Sequence, residues 1–250
     1  MKQVVVLAGG LGTRMLPRTE RTPKVLLSVA GQPFLFHLVL RLARCGFDEA
    51  LFALGHLANE VQAALESPAV QRLAGRMRLL HCVDGGEQQG TAMALRSALP
   101  LLQPTFVVTY GDSYLPYDYG APLRLLERYP QEADGCMAVF ENHDAHERSN
   151  AAVVGERVTH YQKHASEAAP RLTFIDYGAL ALKRSVIEGL PERGSFGLDR
   201  VQSQLAASGK LLAHRASERF YEIGSESGLR ALEQAFAEQS PHTLRAELHA

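Results

Sequence analysis

Short apolar, β-branched runs alternate with segments of helical period through the first half of the chain. QVVVLA (3–8) is a bounded apolar run, the pattern of a strand buried on both faces. Pro33 suits a first helical position. Leu35, Leu38, Leu42 and Cys45 then make one apolar stripe before Gly46 stops the helix. EALFAL (49–54) predicts a second strand, followed by a helix over about 57–66. MRLLHCV (77–83) predicts a third strand, TAMALRSAL (91–99) a helix and TFVVTY (105–110) a fourth strand. This β-α-β-α-β-α-β rhythm predicts a parallel sheet covered by helices, with right-handed crossovers.

After Gly120 the rhythm changes. A helix over about 120–129 and the strand GCMAVF (135–140) come first. Shorter strand signals at AAVVG, RVTHYQ and LTFIDYGALAL predict a mixed, partly antiparallel half. Helices return at about 183–188, 198–207 and 226–238, with strands near 210–215 and 219–223. The tail from Ser240 is polar. No repeat or linker separates two cores, so the expectation is one α/β domain with a mixed-sheet extension.

Composition narrows the partners. With 26 basic and 27 acidic side chains the net charge is −1, without the cationic excess of a nucleic-acid or anionic-membrane surface. Cys45, Cys82 and Cys136 stand far apart without zinc-ligand spacing, and Cys45 and Cys136 read as core thiols. The most apolar later stretch is interrupted by Gly31, Gln32, Pro33, His37 and Arg41 and fails as a membrane span. The N-terminus enters a strand-like segment directly, and a cytoplasmic location is expected.

The candidate chemistry begins at VVVLAGGLGTRMLPRTERTPK (4–24). A dinucleotide loop would read GxGxxG with an acid after the second strand; here the third glycine is Met15 and no such acid follows. A Walker A loop needs Gly-Lys, which is also absent. What remains is a glycine loop at a strand's carboxyl end, with Arg14 two residues after Gly12 and Lys24 ten beyond that. Its backbone N–H groups suit phosphates that the two cations neutralise. The alternative is a tight turn with two solvated cations.

GG-x-GTR, followed by Thr22-Pro23-Lys24 and LL-x-VAG-x-P, resembles the signature of sugar-1-phosphate nucleotidylyltransferases. The likeness runs to about Phe236. It implies a single Rossmann-like α/β domain over 1–239, its mostly parallel to mixed sheet flanked by helices, ahead of a polar tail at 240–250. The nucleotide-binding half would be about 1–118 and the sugar-binding half about 119–239. Leu7, Ala8, Gly9, Gly10, Gly12 and Thr13 would wrap the nucleotide, while Arg14 and Lys24 contact phosphates as the catalytic cations. In GGEQQGTAMAL (85–95), Gln88 or Gln89 would read the base beside Gly90 and Thr91. TYGDS supplies Gly111 to the nucleotide and Asp112 to Mg²⁺, and Glu222 of FYEIGSESGL stands where the second metal carboxylate is usually an aspartate. Without the resemblance, Asp112 reads equally as a turn or cap residue and Glu222 as a solvated strand-end acid.

On the sugar side the resemblance assigns Lys163 of THYQKHA to the sugar phosphate. Gln162 replaces an acid that often binds hydroxyls. Asp176 and Gly178 of FIDYGAL stand at the family's N-x-G, so Asp176 is either a ligand for hydroxyls or an amine, or a turn residue. Ser149-Asn150 replaces the usual Tyr-Gly, which leaves Asn150 at the sugar phosphate site. The GTA core and SFGLDRV (195–201) resemble the guanylyltransferase branch, so GTP is the favoured nucleotide and a GDP-heptose or GDP-mannose type product is expected. Uridylyl or cytidylyl transfer, as in muramate-1-phosphate enzymes, is the alternative. A non-catalytic nucleotide-sugar sensor would have lost the cation and carboxylate set. A glycosyltransferase would carry a second acid after Asp112. The expected partners are the NTP and a sugar 1-phosphate, without nucleic acid or membrane, and a homodimer is left open.

Overall fold

In a computed structural model the described residues are 1–83, 90–145, 147–163 and 172–238. From β1 (Gln3–Ala8) the chain passes through the glycine segment to β2 (Ser28–Val29), β3 (Gln32–Pro33) and α1 (Phe34–Arg44). There follow β4 (Glu49–Leu54), α2 (Ala58–Glu66), α3 (Pro68–Ala74), β5 (Arg78–Val83) and α4 (Thr91–Ser97). Next come β6 (Thr105–Tyr110), β7 (Ser113–Tyr114), α5 (Ala121–Glu127) and β8 (Gly135–Glu141). Then β9 (Ala151–Val154), β10 (Arg157–Tyr161), β11 (Phe174–Lys183) and α6 (Arg184–Glu188) follow. The last elements are α7 (Leu198–Ala207), β12 (Leu211–Ala216), β13 (Tyr221–Glu222) and α8 (Glu226–Glu238).

Nine strands form one sheet in the order β5-β4-β1-β6-β11-β8-β12-β10-β9. The first four are parallel, as the repeating crossover pattern requires. β11 enters antiparallel between β6 and β8 and makes the sheet mixed. Successive side chains of β1 go to opposite faces: Val4 and Val6 enter one core layer, and Val5 the other. The first layer is closed by α1, α2, α3, α5 and α8, and the second by α4, α6 and α7. Leu35, Leu38 and Leu42 are each fully buried, a stabilisation of about 1.5–3 kcal/mol per side chain. Cys136 is buried and Cys45 half-buried, and burial pushes both thiols up in pKa.

Two local features differ from the sequence pattern. Pro33 precedes the helix as its N-cap, in extended conformation, and pairs with Ser28 in the β2–β3 hairpin. A helix that the period did not reveal, α3, begins at Pro68, with Ser67 Oγ accepting from Val70 N at 3.3 Å. Among the described residues no helix is long and apolar enough to cross a membrane.

Candidate active site

The parallel strands end together. Leu7 is in register with Leu54's neighbour Ala53 on one side and with Tyr110 on the other, and Gly111 N donates to Leu7 O at 2.9 Å. Beyond this edge lies a cavity of about 440 Å³. Leu7, Ala8, Gly9, Gly10, Gly12, Thr13, Gly90, Thr91 and Gly111 all line it, together with Lys24 and Asp112. Gln88, with Glu87 and Gln89, lies outside the described residues.

The glycine segment is shaped from within. Gly12 has φ +66°, and a Cβ there would meet Thr19 Cγ2 at 2.9 Å. Thr19 Oγ1 donates to Gly12 O at 2.8 Å, tying the turn to the segment that returns toward Lys24. Thr13–Met15 and Lys24–Leu26 each form one 3₁₀ turn, so each cation is carried on a short turn of backbone. Across the cavity, Gly90 has φ +93° and would place a Cβ 2.7 Å from Phe196 O. Ala92 N donates to that oxygen, and Thr91 Oγ1 accepts from Leu198 N at 2.9 Å. The Thr91 hydroxyl oxygen thus fastens α4 to the start of α7, while its O–H still has a proton to donate.

The charged groups form two cross-linked pairs. Lys24 Nζ lies 2.9 Å from Asp112 Oδ2, with the side chains 18% and 24% exposed. Arg14 Nη1 lies 3.9 Å from Glu222 Oε1, with Arg14 65% exposed and outside the cavity lining. The carboxylates are brought together by backbone: β7 pairs antiparallel with β13, setting Ser113 opposite Glu222, and Ile223 N donates to Asp112 O at 2.8 Å. Burial, then the negative charge of Asp112 and of Glu147, lifts the Glu222 carboxyl above its usual value against the pull of Arg14 and Lys24. Two hard carboxylates held together against their repulsion fit a divalent cation. Among the described residues no group of three or more metal-ligating side chains converges. The protein would supply two oxygen ligands, and phosphate and water the others.

The residues assigned to the sugar stand apart from this cavity's lining. Asn150 and Asp176 are bonded to each other and half-buried, Gly178 follows within the β11 bulge, and Lys163 is exposed just past β10. Asp176 is raised in pKa by burial, against hydrogen bonds from Gly178, Gln202 and Tyr161 and the nearby Lys163 charge. Leu11, Val25, Ala53, Ala94 and Tyr110 also line the cavity and were not singled out in the sequence. Tyr110 had a readable signal, as the last strand residue before Gly111-Asp112. Its hydroxyl is raised in pKa by burial and then by Asp176, Asp112 and Asp199. Gln202 and Glu147 gave no signal, because an isolated amide or acid on a helix or loop is ordinary.

Residues 4–191 match the family described as "MobA-like NTP transferase domain". An N-acetylmuramate alpha-1-phosphate uridylyltransferase from Caulobacter vibrioides is 26% identical over 243 residues, 95% of this chain and 98% of that protein. The bifunctional protein GlmU of Burkholderia ambifaria is 38% identical over 126 residues; these are 49% of this chain but only 24% of GlmU. Among solved structures, a UDP-glucose pyrophosphorylase from Acinetobacter baumannii superposes with TM-score 0.77 at 17% identity, covering 97% of this chain and 95% of that one.

Proposed function

The chain belongs to the MobA-like NTP transferase domain family, and from that premise we propose that it joins an NTP to a sugar 1-phosphate, releasing pyrophosphate and an NDP-sugar. The observation that carries this reading is the pair of cross-linked charges, Lys24–Asp112 and Arg14–Glu222, beside the glycine-lined cavity. A non-catalytic sensor needs the cavity but not this set.

A sugar-phosphate oxygen attacks the α-phosphorus in line, and pyrophosphate leaves. The glycine backbone and Thr13 hold the triphosphate, while Lys24 and Arg14 neutralise charge on it as the bond breaks. Asp112 and Glu222 would hold Mg²⁺, and that ion would supply positive charge against the phosphate oxygens. No side chain acts as a nucleophile, and rate comes from positioning two anions that would otherwise repel. Residues from about 1 to 118 bind the nucleotide, and those from about 119 to 239 the sugar.

UTP is the proposed nucleotide, since the relative that spans nearly the whole chain is by name a uridylyltransferase. The guanine preference expected from the GTA core and SFGLDRV finds no support in that relative. The test is pyrophosphate release with each of the four NTPs, Mg²⁺ and a panel of sugar 1-phosphates. Release with UTP and one or more sugars is expected; none with any pairing defeats the reading.

A further inference from the structure

The arm between Arg14 and Lys24 is largely open to solvent: Leu16, Pro17, Arg18, Glu20 and Arg21 are exposed. Thr19 interrupts it. At 2% exposure it is the only buried residue from Leu16 to Arg21. It does not line the nucleotide cavity, whose lining passes from Thr13 to Lys24 without it. A threonine hidden in so exposed a segment needs a partner for its hydroxyl, since burying that group unbonded costs free energy.

The partner is Gly12. Thr19 Oγ1 donates to Gly12 O at 2.8 Å, and Met15 N donates to the same oxygen at 2.8 Å. Two donors thus occupy the two lone pairs of one carbonyl. The peptide joining Gly12 to Thr13 is planar and trans, so its N–H points opposite to its C=O. With the oxygen turned toward Thr19, the Thr13 N–H is turned away from it, on the side where Gly12 and Thr13 line the cavity. Among the described residues that N–H has no protein partner.

Thr19 also meets the glycine by contact. A Cβ on Gly12 would lie 2.9 Å from Thr19 Cγ2 and 3.1 Å from Thr19 Cβ, and Gly12 holds φ +66°, a conformation that side chains disfavour. The threonine is itself held from outside the loop. Its neighbour Arg18 lies 2.9 Å from Glu226 of α8, and Glu20 N donates to Pro17 O at 3.1 Å. A path of contacts therefore runs from α8, through this turn, to a single carbonyl of the glycine loop.

We propose that Thr19 is a positioning residue for the nucleotide: its hydroxyl locks the Gly12–Thr13 peptide so that Thr13 N–H donates into the cavity to the triphosphate. This rests on the nucleotidylyltransferase reading above. Thr19 touches no substrate and acts through Gly12. Without its hydroxyl the carbonyl keeps Met15 N alone, and the peptide can turn its N–H out of line before the nucleotide arrives.

The test separates the hydroxyl from the methyl. Thr19→Val keeps the methyl packed on Gly12 and loses the donor, whereas Thr19→Ser keeps the donor and loses the methyl. Calorimetry with UTP and Mg²⁺ gives the affinity, and thermal unfolding gives the stability of the same samples. Thr19→Val is expected to weaken UTP binding by about tenfold, with KM for the sugar 1-phosphate unchanged. Thr19→Ser is expected to bind UTP within about twofold of wild type while melting at a lower temperature. A residue that only filled space would give the opposite order, with Val the closer to wild type in both measurements. Wild-type UTP affinity in Thr19→Val, or an equal weakening in Thr19→Ser, overturns the inference. Absence of binding by the wild-type protein to any of the four NTPs overturns the reading on which it rests, and the inference with it.

Discussion

Lys24→Met keeps most of the side-chain stem and removes its charge. In the free protein that charge is 2.9 Å from Asp112 Oδ2, in a pair whose side chains are only 18% and 24% exposed. Two unit charges about 4 Å apart attract by about 4 kcal/mol at an effective dielectric near 20. Desolvation of both groups offsets much of this, leaving about 1.5–3 kcal/mol for a charge-assisted hydrogen bond. Such an energy is a factor of about 10 to 100 in an equilibrium constant. Under the proposed function Asp112 also offers one of two carboxylates to a divalent cation, so ammonium and metal would compete for it. Removing the ammonium is expected to tighten Mn²⁺ binding to the nucleotide-free protein by about tenfold or more, measured by electron paramagnetic resonance titration. The same substitution removes a cation from the triphosphate and should slow turnover by about a hundredfold or more. The two effects have opposite signs, whereas general damage to the site would weaken both. Mn²⁺ affinity that stays level or falls in Lys24→Met would refute the competition.

Four further outcomes follow from the structure. Arg14→Ala and Asp112→Asn should each cut pyrophosphate release by about a hundredfold or more; near-wild-type turnover in both would remove the phosphate-clamp assignment. Gly10→Ala meets nothing within 4 Å in the free protein, so its melting temperature should hold while UTP affinity, read by calorimetry, falls. Gly12→Ala strains a left-handed residue against Thr19 and should lose about 1–2 kcal/mol of stability in urea titrations. Burial holds His37 and His214 below their ordinary 6.5, with Arg124 adding to the effect on His214. Below that pH the unfolded chain takes up protons that the folded one refuses, so stability should be full above about pH 6.5 and fall as pH drops through it. Urea midpoints at pH 7.5 and 5.5 check this, and His37→Gln should flatten part of the slope.

The parallel half was legible because strands buried on both faces leave continuous apolar runs. QVVVLA, EALFAL and TFVVTY coincide with β1, β4 and β6 at both ends. The mixed half announced its strands but not their order. Nothing local in FIDYGALALK says that it inserts between β6 and β8, since that choice is made by pairing with residues 33 (Phe174 with Glu141) to 78 (Lys183 with Thr105) positions earlier. α3 escaped because seven residues span less than two full turns of helical period. The glycine loop declared itself for the opposite reason: its turn, its cations and its strand are contiguous.

What sequence could not supply at the site was the use to which each acid is put. Asp112 and Asp176 look alike on paper, each within two residues of a glycine and at one end of an apolar run. The distinction comes from groups far along the chain. Asp112 meets a cation 88 residues away and stands beside Glu222 through the β7–β13 pairing, so charge accumulates around it. Asp176 meets Gln202, 26 residues later, while its N–H meets Asn150, 26 residues earlier, so its bonds are drawn inward. A carboxylate surrounded by other charges is poised to exchange partners when a triphosphate and its metal arrive. A carboxylate satisfied by a buried amide and a backbone N–H holds a strand in place. Under the proposed function the same side chain would serve phosphate chemistry at one end of this sheet edge and strand geometry at the other, and the difference lies in whether its partners can leave.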